Sequence, residues 1–203
     1  MQRFAATLVA EGSSDQALLP FIDFLLDEHC ELAHATTFAS GLPAGALAGR
    51  IATALSLYPC DMLFVHRDAD RSAVTEREDE ICKAVSVAAP AVKAVCIVPV
   101  RMTEAWLLMD VSAIRRAAGN PTGRIDLTLP PASRIEALAD PKSMLFELLE
   151  RASELSGRRL SRFDRNRSRR QVSGFVDDYR MLRQLPSFQH FEAQVKGHLS
   201  HLD

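Results

Sequence analysis

The sequence predicts an α/β fold, a three-layer sandwich with a mainly parallel central sheet and a helical C-terminal extension. Three observations predict it: short apolar runs over residues 4–10, 62–66 and 93–98, helical periodicity between them, and an abrupt polar turn where each run stops. Parallel neighbours need a helix-length crossover, and the crossover helices then bury both sheet faces. At 203 residues the chain suits a single domain. The expected division is an α/β core over 1–118 and, over 119–203, a loop and helices packed on that core.

The first run, residues 4–10, ends at Glu11-Gly12-Ser13-Ser14-Asp15, as a buried strand delivering the chain to a tight turn does. A helix is expected to begin at Ser13, capped by its hydroxyl, with Gln16 completing a capping box. Leu18, Leu19, Phe21, Ile22, Leu25 and Leu26 then recur at helical spacing. A weaker strand covers 32–38, and a helix over 46–57 follows the loop Gly41-Leu42-Pro43-Ala44-Gly45. The run 62–66 leads into Arg67-Asp68-Ala69-Asp70 and a charged helix over 74–87, and 93–98 is a strand closed by Pro99. Thr103 to Asp110 forms a short helix carrying Trp106, the only tryptophan. Pro121, Gly123, Pro130 and Pro131 mark a long loop before helices around 141–155 and 172–185.

Twenty-four Lys and Arg against 26 Asp and Glu leave a net charge of −2, so any nucleic-acid surface must be local. Cys30, Cys60, Cys82 and Cys96 lack the paired spacing of a zinc site and read as reduced, mostly buried thiols. Met1-Gln2-Arg3 and the run that follows lack the length and flanks of a signal peptide or membrane span, so a soluble, cytoplasmic protein without membrane association is expected. His29, His34, His66, His190, His198 and His201 form no metal-ligand pattern, and only His66 lies beside an acidic segment.

Parallel sheets place ligands at the carboxyl ends of their strands, where Glu11 and the Asp68/Asp70 pair stand. Carboxylates two residues apart at a strand end can point to one side, and a third from a neighbouring strand completes an oxygen-rich pocket. Such a pocket suits Mg²⁺, or Mn²⁺, because hard cations take oxygen ligands and keep several waters. Read structurally instead, Asp68 and Asp70 are turn residues and Glu11 is a solvated acid. Glu104 follows the 93–98 strand and is a candidate further ligand, whereas Asp110 lies six residues on and off its helical face. Lys142, after Pro141 at a helix start, is placed to neutralise a phosphate or to lie on the surface. Arg158, Arg159, Arg162, Arg165, Arg167, Arg169 and Arg170 share their stretch with one acid, Asp164. They form either a phosphate-binding patch or a solvated face paired with Glu147, Glu150 and Asp177.

The order of apolar strand, Glu-Gly-Ser-Ser-Asp, helix, apolar strand and Asp-Ala-Asp resembles the Toprim domain of primases, topoisomerases and OLD-type nucleases. More closely, the chain is similar to an uncharacterised bacterial Toprim-like family marked by Arg-Asp-x-Asp, Glu-Ala-Trp-Leu-Leu-x-Asp and a later Asp-Pro-Lys. These marks stand here at Arg67 to Asp70, Glu104 to Asp110 and Asp140 to Lys142, so the resemblance reaches to about Phe191. It implies a Toprim/Rossmann-like sheet, Glu11 in acid/base chemistry or metal binding, and Mg²⁺ on Asp68 and Asp70.

The expected function is a Mg²⁺-dependent nuclease or related phosphoryl-transfer enzyme on nucleic acid, with Glu11 and Lys142 as catalytic groups and Asp68, Asp70, Glu11 and Glu104 as metal ligands. The alternative is a non-catalytic Toprim-like module that binds nucleic acid or a partner in a defence or repair system. Toprim domains often accompany an ATPase, and the chain lacks a phosphate-binding Gly-x-x-x-x-Gly-Lys-Ser/Thr loop, so an ATPase partner encoded nearby is expected. A phosphatase motif of the haloacid dehalogenase kind, Asp68-x-Asp70 with Ser72, fits less well, since it normally ends the first strand and leaves Glu11 unexplained.

Overall fold

Alternation of side chains along four strands decides which layer each residue joins. In the computed structural model, which describes residues 3–200, β1 (Phe4–Val9), β2 (His34–Phe38), β3 (Met62–His66) and β4 (Lys93–Ile97) pair in the order β2-β1-β3-β4, all parallel. Phe4, Ala6, Leu8, Met62, Phe64, Val95 and Ile97 face α1 (Leu19–His29) in one apolar cluster. Val9, Leu63, Val65 and Cys96 face α2 (Leu47–Leu57) and α3 (Val74–Ala88) in another. The step from β1 to β2 runs one way across the sheet over α1, and the steps to β3 and β4 run the other way over α2 and α3. Right-handed crossovers require such a division of the helices between the two faces.

The strands, α2 and α3 follow the sequence expectation closely. The first helix does not. Residues Ser13–Leu18 form a 3-10 turn, and α1 starts only at Leu19 with Pro20 in its first turn. Asp15, not Ser13 or Gln16, closes the turn by accepting from the Gly12 N–H at 3.0 Å. Its carboxylate is drawn inward because a buried histidine lies behind it, which no local pattern announces.

After β4 the chain is helical: α4 (Glu104–Leu107), α5 (Val111–Ala117), α6 (Ala132–Ile135), α7 (Pro141–Ser153), α8 (Gly157–Leu160), α9 (Arg165–Gln171) and α10 (Pro186–Leu199). The helix expected over 172–185 is instead two 3-10 turns, Ser173–Phe175 and Tyr179–Gln184. Its apolar spacing is real, since Val172, Leu182 and Leu185 are buried, but Gly174 and Asp177-Asp178 interrupt the ladder. Pro186 then starts α10 at a position that needs no N–H partner. Phe188, Phe191 and Val195 of α10 join the α1-side cluster. Gln194 accepts from the Cys96 N–H at 3.0 Å and donates to the Cys96 carbonyl at 3.4 Å, so a side-chain amide occupies the outer edge of β4.

Trp106 of α4 sits among Phe21, Phe188 and Phe191, with ring centroids 5.8, 5.2 and 5.8 Å away. Its indole N–H donates to Ser187 Oγ at 2.9 Å, so full burial leaves no polar atom orphaned. No helix among the described residues is long and apolar enough to cross a membrane. The cysteines are free, but only Cys96 is buried. Cys30 and Cys60 are half-buried and Cys82 is exposed on α3, which corrects the expectation of mostly buried thiols. Replacing Trp106 by Ala removes the centre of the α1-side cluster, and urea unfolding is expected to register a loss of about 3–5 kcal/mol.

Candidate functional site

Strands β1 and β3 are neighbours, and the chain leaves them in opposite directions across the sheet. Their carboxyl ends therefore frame a topological switch point, the usual ligand position in such folds. Glu11 follows β1, and Arg67, Asp68 and Asp70 follow β3.

His66, the last residue of β3, is 1% exposed. Its Nε2 lies 3.2 Å from Asp68 Oδ1 and 3.0 Å from Thr103 Oγ1, and its Nδ1 lies 3.6 Å from Asp15 Oδ2. Burial alone would depress the imidazole pKa, but the two carboxylates outweigh it and hold the pKa up at about 9, so the ring is an imidazolium at neutral pH. Burial pushes Asp15 up, yet His66 and the Gly12 N–H bring it below the usual carboxylate range. Asp68 Oδ1 also accepts from the Thr103 N–H at 2.9 Å, while Oδ2 has no hydrogen-bond partner among the described residues.

Asp70 takes a different direction. Its φ is 53°, and Arg101, which pairs with it, has φ 67°. The Asp70 N–H donates to the Arg101 carbonyl at 2.9 Å, and Arg101 Nη1 returns to the Asp70 carbonyl at 3.3 Å. Left-handed non-glycine residues are uncommon and cluster at functional sites. Here the left-handed turn ends the strand alternation, so Asp68 faces Thr103 while Asp70 leans toward Arg77 of α3, with Oδ2 at 3.7 Å from Nη2. The two carboxylates thus take different partners, Asp68 Oδ1 with Thr103 and His66 and Asp70 Oδ2 with Arg77.

Glu11 meets a cation. Arg67 Nε lies 2.6 Å from Glu11 Oε1 and Arg67 Nη1 lies 2.7 Å from Glu80 Oε1. Glu80 Oε2 in turn accepts from Arg77 Nη1 at 3.0 Å. Charges alternate from Glu11 through Arg67, Glu80 and Arg77 to Asp70. The one group of three or more His, Cys, Asp or Glu side chains with ligating atoms within 4.8 Å of one another, among the described residues, is Glu28, His29 and Glu192. Glu11, Asp68 and Asp70 do not form so tight a cluster. His29 meets an acid that its sequence spacing does not show: Glu192 Oε1 lies 2.8 Å from it, brought there by α10. Arg183 and Lys196 also bind Glu192, so that group is already neutralised. His190 likewise meets Glu78 at 2.6 Å, while His201 lies outside the described residues.

Glu104 is 1% exposed, with Oε1 2.6 Å from Arg169 Nε. Burial raises its pKa and Arg169 opposes the rise. Glu104 is therefore committed to Arg169 rather than open to a ligand. Asp110 caps α5, accepting from the Ser112 and Ala113 N–H groups. Asp140 caps α7 and Pro141 opens it, so Asp-Pro-Lys is a helix-start signature that leaves Lys142 exposed. The arginine stretch divides. Arg169 is buried, and Arg165 pairs with Glu150 at 3.4 Å. Arg158, Arg159, Arg162, Arg167 and Arg170 are exposed with no carboxylate within 4.0 Å among the described residues. Of the acids expected to pair with the stretch, Asp177 binds Arg116 instead.

Beside Asp70 opens a cleft of about 840 Å³, lined among others by Arg71, Arg101, Lys142, Phe146 and Arg165. Oxygen donors at Asp68 Oδ2 and on the exposed Asp70 suit a hard divalent cation that keeps most of its waters. Glu11 could join only if Arg67 moved. No protein-family model matches the chain, and no curated protein or solved structure is significantly similar to it. Sequence reasoning missed Asp15, Thr103, Arg77 and Glu80 as site residues. For Asp15 the signal was present, an acid three residues after a glycine at a strand exit.

Two outcomes follow. A pKa raised in the fold gives stability that is complete below the unfolded value near 6.5 and is lost as pH rises through about 9. Urea unfolding of the metal-free protein should therefore weaken across that window, and His66→Gln should remove this part of the dependence. Arg169→Ala strands the buried Glu104 and should cost roughly 3–5 kcal/mol, whereas Arg158→Ala should leave the unfolding midpoint unchanged.

Proposed function

We propose that the chain is a Mg²⁺-dependent nuclease or related phosphoryl-transfer enzyme that acts on nucleic acid in the cytoplasm. The observation that carries this reading is the coincidence, at the β1/β3 switch point, of Glu11, Asp68 and Asp70 with a cleft walled by Arg71, Arg101 and Lys142. The Toprim-like order of motifs points the same way.

Asp68 and Asp70 would hold Mg²⁺ or Mn²⁺, which when bound neutralises charge on a phosphodiester. The chain's own groups do the rest. Thr103 and His66 fix the Asp68 carboxylate and leave Oδ2 outward. Glu11 accepts a proton once Arg67 releases it. Lys142 stabilises charge on the phosphate, and the exposed arginines of α8 and α9 hold neighbouring phosphates without reading sequence.

A second reading is a non-catalytic Toprim-like module that binds nucleic acid or a partner, such as an ATPase encoded nearby, in a defence or repair system. One observation favours it: guanidinium groups already neutralise Glu11 and lean on Asp70, as a resident cation would.

Calorimetric titration with Mg²⁺ and Mn²⁺, alongside plasmid and RNA cleavage, separates the two. The nuclease reading expects metal binding and metal-dependent cleavage, both lost in Asp68→Asn/Asp70→Asn. Metal binding without cleavage selects the module, and no binding sinks the metal site. Arg67→Gln removes a competing cation and should tighten metal binding by up to about fivefold, the worth of a partly exposed ion pair.

A further inference from the structure

The cleft beside Asp70 is lined by α7 and by the segments that leave β3 and β4. Leu145, Leu148, Leu149 and Ala152 bury the inner face of this helix. Lys142, Phe146 and Glu150, each four residues from the next, line the cleft. Phe146 is anchored because part of its ring packs against the core. The Arg165 guanidinium lies over that ring at 4.8 Å, and Lys142 Nζ is 6.0 Å from its centre. Arg71 and Arg101, from the exits of β3 and β4, also line the cleft.

The charges in the cleft are not balanced. Asp140 is engaged at the α7 cap, Glu150 with Arg165 and Asp70 with Arg77. Arg71, Arg101 and Lys142 have no carboxylate within 4.0 Å among the described residues, and Asp140 and Glu147 are the lining acids without a cation so close. Five lining cations (Arg71, Arg77, Arg101, Lys142, Arg165) against four acids (Asp70, Asp140, Glu147, Glu150) leave the cleft positive by one. Net positive charge thus faces an aromatic–guanidinium surface in a space of about 840 Å³. That volume falls within the range of small-ligand sites. It takes a nucleotide or two.

Resting on the reading of Asp68 and Asp70 as the phosphodiester site, we infer that the cleft holds an unpaired stretch of the nucleic acid next to the bond presented there. Its phosphates lie against Arg71, Arg101 and Lys142, and one base stacks on the Phe146–Arg165 surface. A base within a duplex has both faces covered by its neighbours, so only an unpaired or extruded base can use such a surface. The chain would then select single strands, overhangs or frayed ends over continuous duplex.

The test is fluorescence anisotropy of the full chain with a short labelled single strand and with the duplex of the same sequence, both in EDTA. The single strand is expected to bind about tenfold tighter, the size of one stacked base. Phe146→Leu should erase that preference by weakening the single strand alone. Arg71→Ala and Lys142→Ala should each weaken it and lower the slope of log K against log salt by about 0.7. Equal affinity of wild type for the two forms, no binding of either, or an unchanged preference in a folded Phe146→Leu chain would each overturn the inference. The wild-type ratio depends on no variant's folding. Because EDTA removes metal from the measurement, failure of the Mg²⁺ titration would defeat the metal reading and leave this ratio standing.

Discussion

All four strands run the same way, so their carboxyl ends and the polar loops that follow crowd one edge of the sheet. At that edge the side chain of His66 is enclosed. Its Nε2 meets Thr103 after β4 and Asp68 after β3, while Nδ1 has no hydrogen bond and only the 3.6 Å charge contact with Asp15 after β1. A buried cation without partners would cost several kcal/mol, so the three segments are held to one another by the charge they surround. Other features follow from that. Asp15 turns inward and the chain after β1 winds as a 3-10 turn, while Thr103 fixes both the start of α4 and the direction of Asp68. The Trp106 cluster is built directly on that start.

The two sheet faces give the candidate site two characters. On the α1 side Asp68 is oriented by neighbours that cannot easily move, because they are buried. On the α3 side Glu11 and Asp70 belong to a chain of exposed or half-exposed ion pairs through Arg67, Glu80 and Arg77. Pairs of that kind are worth little individually and exchange partners readily. A rigid carboxylate beside exchangeable ones suits a site that must admit a cation or a phosphate. The left-handed backbone at Asp70 and Arg101 works to the same end, since the two residues lock each other and turn Asp70 out toward the cleft mouth. The buried Arg169–Glu104 pair does something else. It docks the arginine-rich α9 against the core, leaving its other arginines outside.

Much of this was legible in the order of residues. Strands buried on both faces read as unbroken apolar runs, so β1, β3 and β4 are visible without help from their neighbours. An acid placed directly after such a run must lie at the ligand-bearing edge, which identifies Glu11, Asp68 and Asp70. Helix starts were legible where the cap is local, as with Asp140 and Pro141. Residues 172–185 misled because apolar spacing of three and four also suits 3-10 turns packed on a core, and Gly174 with Asp177-Asp178 decided between the two.

The sequence by itself determined the layers, the parallel sheet and the edge at which the acids gather, because burial periodicity and turn chemistry act over a few neighbouring residues. Only the tertiary structure decided which charges meet. Arg169 finds Glu104, Glu192 finds His29, Gln194 finds Cys96, and Asp15 finds His66 across gaps that no spacing rule spans. Coulomb energy and hydrogen bonding depend on distance through space, and that distance exists only once the layers have packed.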